Sequence, residues 1–398
     1  MTAGALALTG CAGAGGGTAS GDTLVWSMWI GSTEDQKVWQ AVGDAGGEAA
    51  GKTVSLQGAP FADYWTKLST QLGGSSAPCI VSMQSLRINQ FTDGLLPLGD
   101  LIEERDFDLD AFDEGALAAL AVDGEQYAIP YDTGPMVLFY NADAFAEAGV
   151  ETPEPGWSVE EFEAAAAKLQ ANGQVALANT VEDLFLESTV LAYNGGRILD
   201  DAGELTLDDP AFAEGAEWLA GLVAEGEATK ANGPDPTADD NAFVGGQAAS
   251  VVGGPWLLLD FLAKAPFQIG VTTVPAGEEP ITYSAGSGFG ISKTCSDPEA
   301  AFDAIAGMTS DEVLSSLAEQ GRAFPARTES QQAWYDNAGE VEGLQEAVDA
   351  ALASSIPLPG SAKGDQLNQL LAQYGPQLVN GDRPAAEVLE EIAKQLGE

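Results

Sequence analysis

Residues 23–84 alternate short β-rich runs with amphipathic helical ones, and that alternation constrains the fold more than any other feature of the chain. "TLVWSMWI" (23–30) has the β-branched and aromatic content of a strand. "TEDQKVWQAVGDAGGEAAG" follows as a helix, with Ser32 or Thr33 placed to cap it. "KTVSLQG" reads as a second strand, "FADYWTKLSTQLGG" as a second helix stopped by Gly73-Gly74, and "APCIVSMQ" as a third strand. A βαβαβ opening of this kind begins a doubly wound α/β domain, in which helical crossovers return successive strands parallel to one another.

The remaining chain is too long for that one domain. With 398 residues and 45% hydrophobic content, it suits two domains with substantial cores. Charge is the outlier: 15 Lys and Arg against 61 Asp and Glu give a formal net charge of −46. The acids are spread over many segments, so they read as a solubilising surface that repels nucleic acid and anionic membranes. Histidine is absent, which excludes a Ser-His-Asp triad, a Cys-His pair and any His-ligated metal site. Carboxylate-based glycosidases stay open. The cysteines at 11, 79 and 295 form no CxxC motif, so neither a zinc site nor a thioredoxin-like centre is expected, and no cofactor is.

Downstream, "VDGEQYAIP" reads as a hairpin, "GPMVLFYN" as a buried strand, and Ser158 with Glu161 as a capping box opening a helix. Asp208 or Asp209 before Pro210, and Asp297 before Pro298, start further helices. "ASVVGGPW" is a strand running into a helix; "QIGVTTVPA" and "FGISKTC" are strands. From 338 to 398 the chain reads as helical, with breaks at "PLPG", "YGP" and "NGDRP". At the other end, "ALALTGC" resembles a bacterial lipobox, Leu8-Thr9-Gly10-Cys11, followed by the Gly-rich tether "AGAGGGTASGD". That makes Cys11 the expected lipidated residue and the outer face of the cell membrane the expected location.

Taken in order, "PCIVSM", "DGEQYAIPYDTGPMVLFYNADAFAEAGV", "GWSVEEF", "YNGGRILDDAGELTL", "AFVGGQAASVVGGPW", "GFGISK" and "GRAFPART" resemble the family 1 extracellular solute-binding proteins of ABC transporters, the maltose-binding-protein-like group. The resemblance runs from about Thr23 to the C-terminus. It implies a two-lobe periplasmic-binding-protein-like fold of class II type, with a hinge between lobes that close over a ligand. Residues 1–21 would be the signal remnant and tether, 22–132 with 287–330 the first lobe, and 133–286 with 331–398 the second. It also implies a disulfide between Cys79 and Cys295, because the third strand and the returning hinge strand run antiparallel side by side in the family fold.

Candidate ligand contacts follow from aromatic residues and strand ends. Trp256 comes directly after Gly253-Gly254-Pro255, either as a core plug or as a platform; the family's stacking Trp follows "GP" at such a turn. Sugars present apolar faces to an aromatic ring and a rim of hydroxyls to polar groups. Trp29 and Gly31 end the first strand, where open α/β sheets place ligands; one of Trp26 and Trp29 should face the core, and Trp29, nearer the strand end, is the better ligand candidate. Gln84 and Ser85 end the third strand, where many relatives carry a carboxylate that this chain lacks. Tyr131 and Asp132 lie at the first hinge crossing, Asp132 as an acceptor for vicinal hydroxyls or as a turn former. Tyr193 and Asn194 end a helix, Asn194 being equally a C-cap. Ser284 and Gly286, in "SAGSG", offer backbone N–H groups. Arg322 and Arg327 are salt-bridge partners or ligand contacts, and Trp157 and Trp218 read as packing.

The expected function is the substrate-binding component of an ABC importer, a monomer that binds a neutral di- or oligosaccharide and docks on permease subunits. It is expected not to be an enzyme and to hold no metal. The alternatives are a binder of another solute, such as a polyamine, glycerol phosphate diester or peptide, and a secreted glycoside hydrolase with two carboxylates across the cleft.

Overall fold

A computed structural model describes residues 21–74, 77–233, 235 and 237–397, so the lipobox-like segment with Cys11 lies outside the described residues. The strands are β1 (Thr23–Trp29), β2 (Thr53–Ala59), β3 (Ile80–Gln84), β4 (Ala121–Val122), β5 (Glu125–Gln126), β6 (Ala128–Pro135), β7 (Val137–Asn141), β8 (Val175–Ala178), β9 (Ala248–Gly253), β10 (Ile269–Thr273), β11 (Thr282–Ile291) and β12 (Ser355–Pro357). One sheet has the order β12-β11-β3-β1-β2, with β6 paired to β11. As the βαβαβ pattern requires, β1 is parallel to both β2 and β3. The second sheet has the order β10-β7-β9-β8, with β7 antiparallel to both of its neighbours.

Two groups of buried side chains lie on these sheets. Trp26, Ile80, Ile129 and Phe289 belong to one core, with Tyr64, Trp65 and Met83 in a satellite beside it. Leu138, Phe162, Val190, Leu371 and Val388 belong to a second core, and Phe139, Val251, Phe261 and Trp334 to its neighbour. The chain changes from one group to the other between Tyr131 and Met136, and back between Ala285 and Phe289. It changes again in the stretch that places Ala326 in the first core and Trp334 in the second.

Helix starts follow the sequence chemistry closely. The Ser32 side chain accepts from Asp35 N, Ser158 and Glu161 form a reciprocal capping box, and Asp209 and Asp297 each cap a helix with Pro in its first turn. Each cap satisfies backbone N–H groups that the helix itself leaves open.

Two expectations need correction. The "YGP" triplet does not break the C-terminal region: Pro376 lies inside the helix Gly364–Val379. Proline there forfeits one backbone hydrogen bond. The flanking positions are packed tightly against the rest of the molecule, with Gly375 against Val181 and the Ala372 carbonyl against Gly233, where a Cβ would come within 1.8 Å of that oxygen. Tertiary packing thus holds a helix that local propensity opposes. The second correction concerns "SAGSG" (284–288). It belongs to β11, which is buried along its whole length, rather than presenting free N–H groups. Gly286 N donates to Ser85 Oγ at 3.1 Å and Ser287 N to Asp132 Oδ1 at 2.5 Å, so these donors are already committed.

Cys79 and Cys295 are joined in a disulfide, their Cα atoms 4.7 Å apart. β3 and β11 run antiparallel with Ile80 opposite Ile291, and this register brings the two cysteines together just beyond the paired ends.

Candidate ligand-binding cleft

Between the two groups of cores lies a cavity with two connected arms. One arm, of about 300 Å³, is bordered by Trp29, Asp35, Trp39, Tyr131, Asp132, Gly286 and Arg322. The other, of about 360 Å³, is bordered by Arg87, Asn179, Glu182, Asp183, Phe185, Asp239 and Asn368. Phe61, Gln84, Leu184 and Trp256 border both, and so stand at the junction.

Trp256 is not a buried core plug. It is 41% exposed and, with Phe61 and Leu262, is one of the large apolar side chains left open to solvent among the described residues. A short 3₁₀ turn (Pro255–Leu257) carries it off the end of β9. The indole lies over bare backbone: a Cβ on Gly254 would fall 2.3 Å, and one on Gly134 2.5 Å, from its six-membered ring. Phe185 stacks near it, with centroids 6.4 Å apart and planes 23° from parallel. The glycines therefore let a broad aromatic face lie flat against the wall of the cavity.

Trp29, at the end of β1, borders the opposite wall and is locked by edge contacts to Phe61 and Tyr64, with ring centroids 5.8 and 5.3 Å away. Trp26 on the same strand is fully buried and donates to Ser82 Oγ, which settles the facing of β1. Gln84 borders both arms, its Oε1 accepting from Arg87 Nη1 at 2.5 Å. Arg87 also stacks on Trp65 at 4.9 Å and pairs with Asp365 at 3.2 Å. Tyr131 touches the cavity wall but is only 3% exposed, its ring stacked on Phe289.

Other expected contacts lie elsewhere. Ser85 is buried and spends its hydroxyl on Gly286, and the Gly31 amide donates to Asp35 Oδ2 at 2.7 Å. Ser284 is buried within β11. Tyr193 stacks on Trp218 at 4.6 Å, and Asn194 caps its helix end through Ala211 and Gly196; neither borders the cavity. Arg327 sits over Phe112 and donates to Thr309 O, whereas Arg322 pairs with Asp35 at 2.5 Å and does border the cavity. Sequence reasoning missed Asp35, Trp39, Phe61, Phe185, Glu182 and Asp239. The β1-to-helix position of Asp35 signalled a strand-end site, but nothing local marked the others.

The cleft carboxyls are unusual. Burial raises Asp132 to about 7, an effect that the Ser287 N–H only partly offsets. Burial and neighbouring acids raise Glu182 to about 8, and also Asp240, beside Asp239 but outside the cavity lining, to about 7. In the unfolded chain such groups titrate near ~4. Between ~4 and ~8 the folded protein therefore binds more protons than the unfolded chain, and stability falls as pH rises through that window. The thermal midpoint is expected to be at least about 2 °C higher at about pH 5.5 than at about pH 8.5. Asp132→Asn should flatten the dependence; a midpoint that climbs with pH would contradict this assignment.

The family profile described as bacterial extracellular solute-binding protein matches residues 41–343. The chain belongs to that family. This solute-binding protein is 29% identical over 239 residues to an arabinooligosaccharide-binding protein of Halalkalibacterium halodurans, a match covering 58% of this chain and 53% of the relative. It is 25% identical over 260 residues to the maltodextrin-binding protein MdxE of Bacillus subtilis, covering 62% and 57%. These matches thus span only about half of each relative's length. A third relative, the diacetylchitobiose binding protein DasA of Streptomyces coelicolor, matches at 24% over 87% of this chain and 80% of its own. Among solved structures, an ABC substrate-binding protein of Listeria monocytogenes in complex with cycloalternan superposes with a TM-score of 0.79 at 25% identity, covering 94% of this chain and 99% of that one. The sugar-binding protein MalE of Xanthomonas citri reaches 0.78 at 19% identity and shares the fold. Among the described residues no helix is long and apolar enough to cross a membrane.

Proposed function

We propose that this solute-binding protein is the substrate-binding component of an ABC importer and takes a neutral di- or oligosaccharide into the cleft. The observation that carries the reading is Trp256, an open indole bedded on glycine backbone at the junction of the two cavity arms. Trp29 and Phe61 border the same space, and Gln84 and Asp132 border it with acceptors for hydroxyls. Aromatic faces with a few polar groups at their edges suit a pyranose or furanose better than a phosphate ester, which the net charge of −46 also disfavours. The named relatives bind arabinooligosaccharide, maltodextrin and diacetylchitobiose, which supports the same substrate class.

The bodies 22–132 with 287–330 and 133–286 with 331–398 would close over the ligand by bending where β6 and β11 cross between cores. The closed protein would then dock, as a monomer, on permease subunits. Lipidation of Cys11 would hold it at the outer face of the membrane. The protein performs no chemistry in this reading. Prolonged incubation with oligosaccharides should leave them intact by chromatography, and any turnover would favour the glycosidase alternative. A tryptophan-fluorescence and thermal-shift screen over maltodextrins, arabinooligosaccharides, chitooligosaccharides and spermidine tests the binding claim. At least one neutral sugar should raise the midpoint and shift emission; silence from every sugar would overturn it.

A further inference from the structure

The second arm of the cleft has a chemistry that a neutral sugar does not explain. Asp239, at the start of the helix Ala238–Val244, borders this arm yet is only 4% exposed. Its Oδ1 accepts from Asp240 N at 3.0 Å, while its Oδ2 is buried and makes no hydrogen bond of acceptable geometry, although the Thr180 side chain lies alongside. Glu182 borders the same arm, and the charges acting on it are those of Asp183, Asp239 and Asp240, all acidic. Asp183, by contrast, is satisfied by Leu184 N and Asn368 Nδ2. Arg87, the basic residue bordering this arm, is paired with Asp365. An unpaired buried carboxylate is costly. Asp239 stands here beside Glu182, a half-buried acid whose charged neighbours are all acidic, and near the open face of Trp256.

We propose that this arm receives a protonated amine carried by the ligand, held between Glu182 and Asp239 and facing the ring of Trp256, the Phe61 ring being already covered by the Arg87 guanidinium, so that the preferred ligand is an amino sugar. The inference rests on the carbohydrate reading above and narrows it. An ammonium gains from both surroundings, through charge-assisted hydrogen bonds to carboxylates and attraction to aromatic faces. An acetamido or hydroxyl group in the same place supplies no counter-charge, so both acids stay biased toward their protonated form and the charge-assisted contact is lost. The raised protonation of Glu182 and Asp239, caused first by burial, is the behaviour of acids that lack their counter-charge.

The test is calorimetric titration of the whole protein at neutral pH and about 0.15 M salt, where surface charge is screened beyond ~8 Å. The probes are maltotriose, cellotriose, N-acetylated chitotriose, fully deacetylated chitotriose and spermidine. Deacetylated chitotriose is expected to bind at least about tenfold more tightly than its N-acetylated and hydroxyl counterparts. Asp239→Asn with Glu182→Gln should bring those three within about twofold of each other, with the thermal midpoint retained, while Asp208→Asn, outside the cavity, should leave the preference unchanged. If a neutral sugar binds best and the double variant leaves the ranking intact, the amine arm is wrong and the carbohydrate reading stands. If spermidine outcompetes every sugar, the carbohydrate reading falls and the amino-sugar assignment falls with it.

Discussion

Replacing Trp256 by alanine is expected to weaken carbohydrate binding by about 60- to 140-fold while leaving the protein folded. Stacking of a sugar face on an indole is worth ~1 kcal/mol beyond area burial, by analogy with aromatic pairs. Covering ~60–80 Å² of that ring adds ~1.5–2 kcal/mol. The cost to folding is smaller, because the ring is 41% exposed and its stacking contact is with Phe185. A buried tryptophan truncated to alanine would cost ~3–5 kcal/mol of stability, so the two roles separate cleanly by measurement. Affinity by calorimetry and midpoint by urea unfolding should show a large change in the first and a modest one in the second. Unfolding with unchanged affinity per folded molecule would instead make Trp256 structural. Gly134→Val supplies a second arm, since even its first added carbon would fall 2.5 Å from the indole and push it off the wall. It should reduce affinity in the same direction without removing the aromatic ring.

Removing the disulfide through Cys79→Ala with Cys295→Ala is expected to cost about 2–5 kcal/mol of unfolding free energy. The bond closes a loop with a sequence separation of 216 residues, which restricts the unfolded chain strongly. In the folded protein it fastens a pairing already present, Ile80 opposite Ile291, so little native geometry needs to change when it is lost. Urea unfolding of the double variant should agree with that of the reduced parent, and both should fall below the oxidised parent by that amount. A difference below about 0.5 kcal/mol would mean that the paired strands alone hold this junction.

Much of the fold was legible locally because its signals are periodic or fall at element ends. The parallel order of β1, β2 and β3 follows from alternating strand and helix patterns, and the caps at Ser32, Ser158, Asp209 and Asp297 appear where short polar residues precede helical runs. The facing of β1 was legible too, since side chains alternate and the tryptophan nearer the strand end borders the cleft. Position at a glycine break marked Trp256 as exceptional but left plug and platform open. Its exposure rules out the plug, and exposure depends on what the rest of the chain brings alongside.

The cleft's other members carried no such mark. Phe61 and Phe185 begin helices whose aromatic residues read equally well as core. "SAGSG" looked like an open run because glycine and serine favour loops, yet β3 and β6 lie on either side of it and pair their backbones to it. Pro376 sits within a helix because close packing around Ala372 and Gly375 outweighs its local preference. Asp35 finds Arg322 across 287 positions, and Asp239 becomes a buried acid without a counter-charge only when it borders the same cavity as Glu182. The sequence by itself therefore determined the elements, their caps and the parallel opening sheet, because these depend on neighbours within a few residues. Only the tertiary structure decided which side chains share the cleft and which donors are free, because β6 and β11 set those distances across more than a hundred residues.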